Sequence, residues 1–235
     1  MQITYYGQSC FLVETVGKKL LFDPFISPNP LQADQAATLV NSIQADYILL
    51  THGHGDHVAD AETIAKRCDA TIVSNYEIVT YYQAKGIKGH PMNLGGSWNF
   101  DFGKLKIVNA VHSSVLPDGT YAGNPGGFVI SNAEGTFYHA GDTALTWDMK
   151  LLPMICPKLD FAIFPIGDNF TMGIEDAILA SDFIDCPKII GCHYDTFGYI
   201  KIDHASAQKA FAAKGKELIL LPLNESCTIE SLWEK

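Results

Sequence analysis

Seven consecutive residues, Thr51-His52-Gly53-His54-Gly55-Asp56-His57, bring three imidazoles and a carboxylate together in the chain. They follow the apolar run Tyr47-Ile48-Leu49-Leu50, which reads as a buried strand, and precede Val58 to Arg67, whose spacing predicts a helix. In an extended segment side chains two apart share a face, so His52 and His54 point the same way. The glycines at 53 and 55 are expected to let the backbone turn, which sets Asp56 and His57 in the strand-to-helix turn. So many polar groups are costly to bury without a partner, and a divalent cation supplies one. Nitrogen and oxygen ligands suit zinc first, with manganese or iron as alternatives.

Other strand ends carry residues of the same kind. Leu105 to Val111 reads as a strand that empties into His112-Ser113-Ser114, and His112 offers the third protein ligand that His52 and His54 leave open. Gly135 to Ala140 leads into Gly141-Asp142-Thr143, an aspartate presented through a glycine. Lys188 to Cys192 ends at His193-Tyr194-Asp195-Thr196-Phe197, and Lys18 to Phe22 ends at Asp23-Pro24. Asp160 to Ile166 opens into Gly167-Asp168-Asn169, where a site role and an ordinary turn with helix cap explain Asp168 and Asn169 equally well. His139 alternates away from Asp142 and reads as core. His90, beside Pro91, is expected in a loop, and His204 at the surface.

Composition narrows the function classes. The chain has 235 residues, 47% hydrophobic and 18% charged, which suits a compact globule with a substantial core. Its formal net charge is -10, and Arg67 is its single arginine, so no clustered basic run for phosphate is visible, a local lysine patch is left open, and no nucleic-acid partner is expected. No apolar run reaches the ~20 residues of a membrane span and the first residues show no secretory signal, so no membrane association and a cytoplasmic location are expected. Six scattered cysteines without a C-x-x-C pair read as free thiols.

The remaining pattern places these residues. Antiparallel strands are expected over 2–6, 10–15 and 18–23, then helices over 33–43 and 76–85 around a strand at 70–74. Strands at 98–102, 105–111, 127–131 and 135–140 follow, and the loop 117–125 suits either a flap over a site or a plain connection. A strand over 160–166, a helix over 174–184, a strand over 188–192 and a helix over 203–214 with Asp203 as its cap lead to closing strands near 217–221 and 226–230. The strand–helix rhythm runs twice, so an α/β (α+β) αββα sandwich is expected, one domain over 1–235 with pseudo-equivalent halves of about 1–110 and 111–235.

His-x-His-x-Asp-His at a strand end resembles the signature of the metallo-β-lactamase superfamily. The resemblance implies its four-layer fold and its ligand set: His52, His54 and His112 at one metal, Asp56, His57 and His193 at the other, and Asp142 bridging. It also implies that Asp23 supports the first ligand loop from behind. Gly7-Gln8-Ser9-Cys10-Phe11, Leu21-Phe22-Asp23-Pro24-Phe25, Pro165 to Gly173 and His193 to Phe197 resemble the branch of uncharacterised metal-dependent hydrolases similar to the ascorbate-6-phosphate lactonases. Relatives there often carry Asn where Asp195 stands and Pro where His204 stands, and the extra charge of Asp195 weighs against an anionic substrate.

The expected function is a dinuclear metal-dependent hydrolase acting on a small molecule such as a lactone, ester or amide. A metal-bridging hydroxide attacks its carbonyl or phosphoryl centre, with Asp56 and Asp142 as the catalytic carboxylates. Asn169, Tyr194, Asp195 and Thr196 are candidates for contact with the substrate or its leaving group. Two alternatives stand beside it: a phosphodiesterase or RNA-processing nuclease, and a di-iron redox or sensor protein on the same fold. Assembly as a homo-oligomer is left open.

Overall fold

The computed structural model describes residues 1–231. Strands β1 (Gln2–Tyr5), β2 (Phe11–Thr15) and β3 (Lys18–Phe22) form an antiparallel meander. They are followed by α1 (Ala36–Ser42), β4 (Tyr47–Leu49), α2 (Gly55–Val58), α3 (Ala61–Cys68), β5 (Thr71–Asn75), α4 (Tyr76–Gln83) and β6 (Gly89–Met92). Strands β3, β4, β5 and β6 run parallel to one another. The chain then enters a second sheet through β7 (Ser97–Phe100), β8 (Gly103–Asn109), β9 (Gly126–Asn132) and β10 (Gly135–His139), which pair antiparallel. After α5 (Leu152–Ile155) come β11 (Phe161–Pro165), α6 (Ile174–Phe183), β12 (Lys188–Cys192), α7 (His204–Ala212), β13 (Glu217–Ile219) and β14 (Ser226–Thr228). Strands β10 to β13 are parallel, whereas β14 returns to the first sheet beside β1.

Each sheet has seven strands, ordered β14-β1-β2-β3-β4-β5-β6 and β13-β12-β11-β10-β9-β8-β7. Their central strands are apolar on both faces, and the period of two sorts the side chains into layers. In β3, Leu20 and Phe22 enter the layer between the sheets while Leu21 faces outward. In β11, Phe161 and Ile163 face the other sheet while Ala162 and Phe164 pack outward. Helices α1, α3 and α4 cover the first sheet, and α5, α6 and α7 cover the second. The result is the expected αββα sandwich. Each buried Leu or Phe of the middle layer contributes about 1.5–3 kcal/mol of burial energy.

Some local expectations change. The helix foreseen over 58–67 is two pieces, α2 and α3, broken at Ala59-Asp60. Asp60 is buried there and accepts hydrogen bonds from Ile26 N (2.7 Å), Ser27 N (2.9 Å) and the Ser27 hydroxyl (2.5 Å), so it ties the loop after β3. His90 lies in β6 rather than in a loop. This strand is at the sheet edge, where Pro91 needs no ladder donor, and the imidazole packs on Trp98 and Phe100. Loop 117–125 is anchored from below: Asn75 Nδ2 donates to the carbonyls of Ala122 (2.7 Å) and Asn124 (3.1 Å).

Candidate metal centre

The ligand candidates converge where the parallel strands of both sheets end. His52 and His54 follow β4, His57 sits in α2, His112 follows β8, Asp142 follows β10, and His193 follows β12. The carboxyl ends of parallel strands leave a crevice that loops can line, because the next connection must turn back across a face. Gly53 does not turn the chain as expected. Its backbone avoids the left-handed region, and the glycine is required by close approach: a side chain there would run into Ala122 and lie 3.1 Å from the Val115 carbonyl carbon. Gly141 needs both freedoms. It has φ +65, and a Cβ would lie 2.8 Å from that of Thr51.

Two clusters result. His52, His54 and His112 form one; Asp56, His57, Asp142 and His193 form the other, and within each cluster the candidate ligand atoms lie within 4.8 Å of one another. The clusters meet at one atom. Asp142 Oδ2 is 3.1 Å from His193 Nε2, 3.3 Å from His57 Nε2, 3.6 Å from His112 Nε2 and 4.0 Å from His52 Nε2.

The surroundings fix which nitrogens face inward. Asp23 is fully buried and accepts from Thr51 N (2.8 Å), from the Thr51 hydroxyl (2.7 Å) and from His57 Nδ1 (2.8 Å). The Thr51 hydroxyl, donating to Asp23, accepts in turn from His52 Nδ1 at 3.0 Å. One carboxylate therefore sets the Nδ1 proton on both imidazoles and turns Nε2 of each toward the centre. Gln8 braces the other side, though its place in the sequence announces no such role. Its Nε2 donates to Asp56 Oδ2 at 2.8 Å, and its carbonyl accepts from His193 N at 2.8 Å. Gln8, Asp23, His193 and Asp195 all have positive φ, at 54, 41, 55 and 63. Non-glycine residues adopt this conformation at a cost, and it collects here around a site.

The electrostatics call for a cation. Burial pushes His52, His54 and His112 below the ordinary imidazole value, so this trio is neutral. Burial also opposes charge on His57, but Asp142, Asp56 and Asp23 outweigh it and hold His57 well above the ordinary value. The same contest pushes His193 up to about 9, with Asp142 as the main opponent of burial. Burial disfavours the Asp142 anion, yet His193 and His57 hold its carboxyl well below the usual range. Protons stand where positive charge is wanted. His57 Nε2 and Asp142 Oδ1 are buried without a hydrogen-bond partner, a cost that coordination to a metal would remove. The donor set of imidazoles and carboxylates fits a borderline divalent ion.

The further candidates separate. Thr196 lines the cleft over the centre, with Phe25, His54, Gly55, Ser113, Phe170, Phe197 and Tyr199 beside it. Asn169 lines a neighbouring hollow with Asp168 and does not line the cleft. Tyr194 is buried, packed between the rings of Tyr5 and His204. Asp195 points to Ile202 N (3.1 Å) and His204 Nε2 (2.6 Å), so its charge is held by the exposed histidine and the turn. His139, as read, belongs to the interior: it is fully buried and stacks on Phe22 at 4.9 Å.

Residues 18–194 match the sequence model of the beta-lactamase superfamily domain. The chain is 61% identical to a "UPF0173 metal-dependent hydrolase" of Flavobacterium johnsoniae, over 96% of this chain and 99% of that one. It superposes on a metallo hydrolase from the hyperthermophilic archaeon Ignicoccus hospitalis with a TM-score of 0.88 at 31% identity, covering 97% of this chain and 98% of the other. An isothiocyanate hydrolase from Delia radicum gut bacteria shares the fold, with a TM-score of 0.78 at 20% identity over 98% and 100% of the two chains.

Proposed function

Because this chain belongs to the metallo-β-lactamase superfamily and is a metal-dependent hydrolase, we propose that it works with two divalent metals, zinc before manganese or iron, on a small-molecule ester, lactone or amide. The observation that supports two metals is the position of Asp142 Oδ2, within 4.0 Å of imidazoles from both clusters. His52, His54 and His112 would hold one metal and Asp56, His57 and His193 the other, with Asp142 shared. When bound, the pair supplies an acidified water near neutral pH and draws electron density from the substrate's carbonyl or phosphoryl oxygen.

The chain's own residues do the rest. Asp23 holds the Nδ1 proton of His57 directly and of His52 through Thr51, so Nε2 is the nitrogen each turns to the centre. Gln8 anchors one oxygen of Asp56, which keeps this carboxylate turned to the cleft. There Asp56 can accept a hydrogen bond from the entering water and orient it toward the substrate. The largely enclosed bases of His52, His57 and Asp142 keep bulk water from competing for the centre.

A screen of metal-reconstituted protein across lactones, acyl esters and phosphodiesters tests this reading, with His54→Ala as the control. We expect the variant to stay folded and to lose both a metal and the activity. Unchanged turnover in His54→Ala would overturn it.

A further inference from the structure

The cleft above the metal centre encloses about 990 Å³, at the upper end of the ~300–1,000 Å³ common for small-ligand sites. Its floor is the ligand cluster, and its walls are aromatic. Phe25 comes from the loop after β3, Phe170 from the loop after β11, and Phe197 and Tyr199 from the segment after β12. The rings meet across loops: Phe25 and Phe197 lie 6.2 Å apart, and Phe170 and Tyr199 lie edge to face at 6.4 Å. Phe170 is 50% exposed and Tyr199 81%, so folding buries only half of the first and little of the second. Large apolar rings left open beside a reactive centre mark a surface that a ligand covers.

The charges of the lining agree. No Lys or Arg lines the cleft among the described residues, and Lys201 lines the neighbouring hollow instead. Beside the Tyr199 phenol, the ionisable lining residues are the metal-site histidines with Asp56 and Asp142. A phosphate or carboxylate on the distal part of a substrate is ordinarily met by an Arg fork or a Lys. Here it would meet phenyl rings.

We infer that the physiological substrate is a neutral acyl ester or lactone bearing an uncharged hydrophobic substituent, which Phe170 and Tyr199 grip at the mouth while the carbonyl sits over the metal centre. The inference rests on the metal-pair reading above and adds the substrate class. Hydrolysis breaks the acyl carbon–oxygen bond, joins the oxygen of water to the acyl carbon and returns a proton to the leaving oxygen, so water is the only co-reactant.

Calorimetric binding of hydroxamates to the zinc-loaded chain separates the two claims, because the hydroxamate head needs the metals and the tail reads the walls. Three probes serve: acetohydroxamic acid, an analogue with a phenylpropyl tail, and one of equal length ending in a phosphate. The phenyl tail is expected to tighten binding about tenfold to a hundredfold over acetohydroxamic acid, and the phosphate tail to give no gain. In Phe170→Ala and Tyr199→Ala that ratio falls about threefold to tenfold each. A ratio near one, or a preference for the phosphate tail, would overturn the substrate class and leave the metal pair standing. If no hydroxamate binds the zinc-loaded chain, the metal pair fails, and the substrate class with it.

Discussion

The trio of His52, His54 and His112 and the quartet of Asp56, His57, Asp142 and His193 stand side by side but solve opposite problems. The trio is all imidazole, partly open to the cleft, and kept neutral by burial, so it can take a cation without a net loss of protons. The quartet concentrates two carboxylates around two imidazoles that hold protons in the metal-free chain. A metal entering the trio meets ready ligands. One entering the quartet must first displace protons, and in return finds the charge it neutralises. On the two-metal proposal, the difference implies that adjoining sites of similar donors need not load alike.

Removing the atom the two clusters share should have the largest effect. Asp142→Ala takes away the carboxylate within reach of both and leaves His57 and His193 without their main counter-charge. Turnover is expected to fall by more than about a hundredfold, and metal analysis should show both positions weakened. Loss at only one cluster would separate the sites and break the comparison.

Asp23→Asn should act unequally. An asparagine amide opposite His57 Nδ1 favours the tautomer with its proton on Nε2, toward the metal, whereas His52 is reached only through Thr51. Affinity at the quartet is expected to drop about tenfold to a hundredfold, with a smaller loss at the trio. Competition with a chromophoric chelator measures both, and equal losses would contradict the directional role given to Asp23.

Much of this was legible in the sequence because it is local or periodic. The apolar alternation of β3, β4 and β11 located the strands that end at the site, and the Thr51 to His57 stretch declared its chemistry by composition. What could not be read depended on contacts between distant segments. Gln8 reaches Asp56 and His193 because β1 and β2 pair beside the ligand loops, and no spacing rule announces that. Asp60 breaks the predicted helix in order to bind the loop at Ile26 and Ser27, which the helical period of 58–67 conceals. Asn169, Tyr194 and Asp195 share strand-end positions with the ligands, yet two left-handed residues at Asp168 and Asn169 and the pairing of Asp195 with His204 direct them elsewhere. Gly53, expected at a turn, serves instead as clearance for Ala122.

The pH behaviour follows the same division. His57 and His193 have raised values in the folded metal-free chain, so their protonation stabilises it below the unfolded imidazole value of about 6.5. That contribution is lost as pH rises through about 9 at His193. Titrating the metal-free chain with zinc at pH 7.5, by calorimetry in two buffers of different ionisation enthalpy, reads stoichiometry and proton release together. We expect two equivalents of zinc per chain, one bound almost without proton release and the other releasing roughly two protons. A single equivalent, or two that release protons alike, would contradict it.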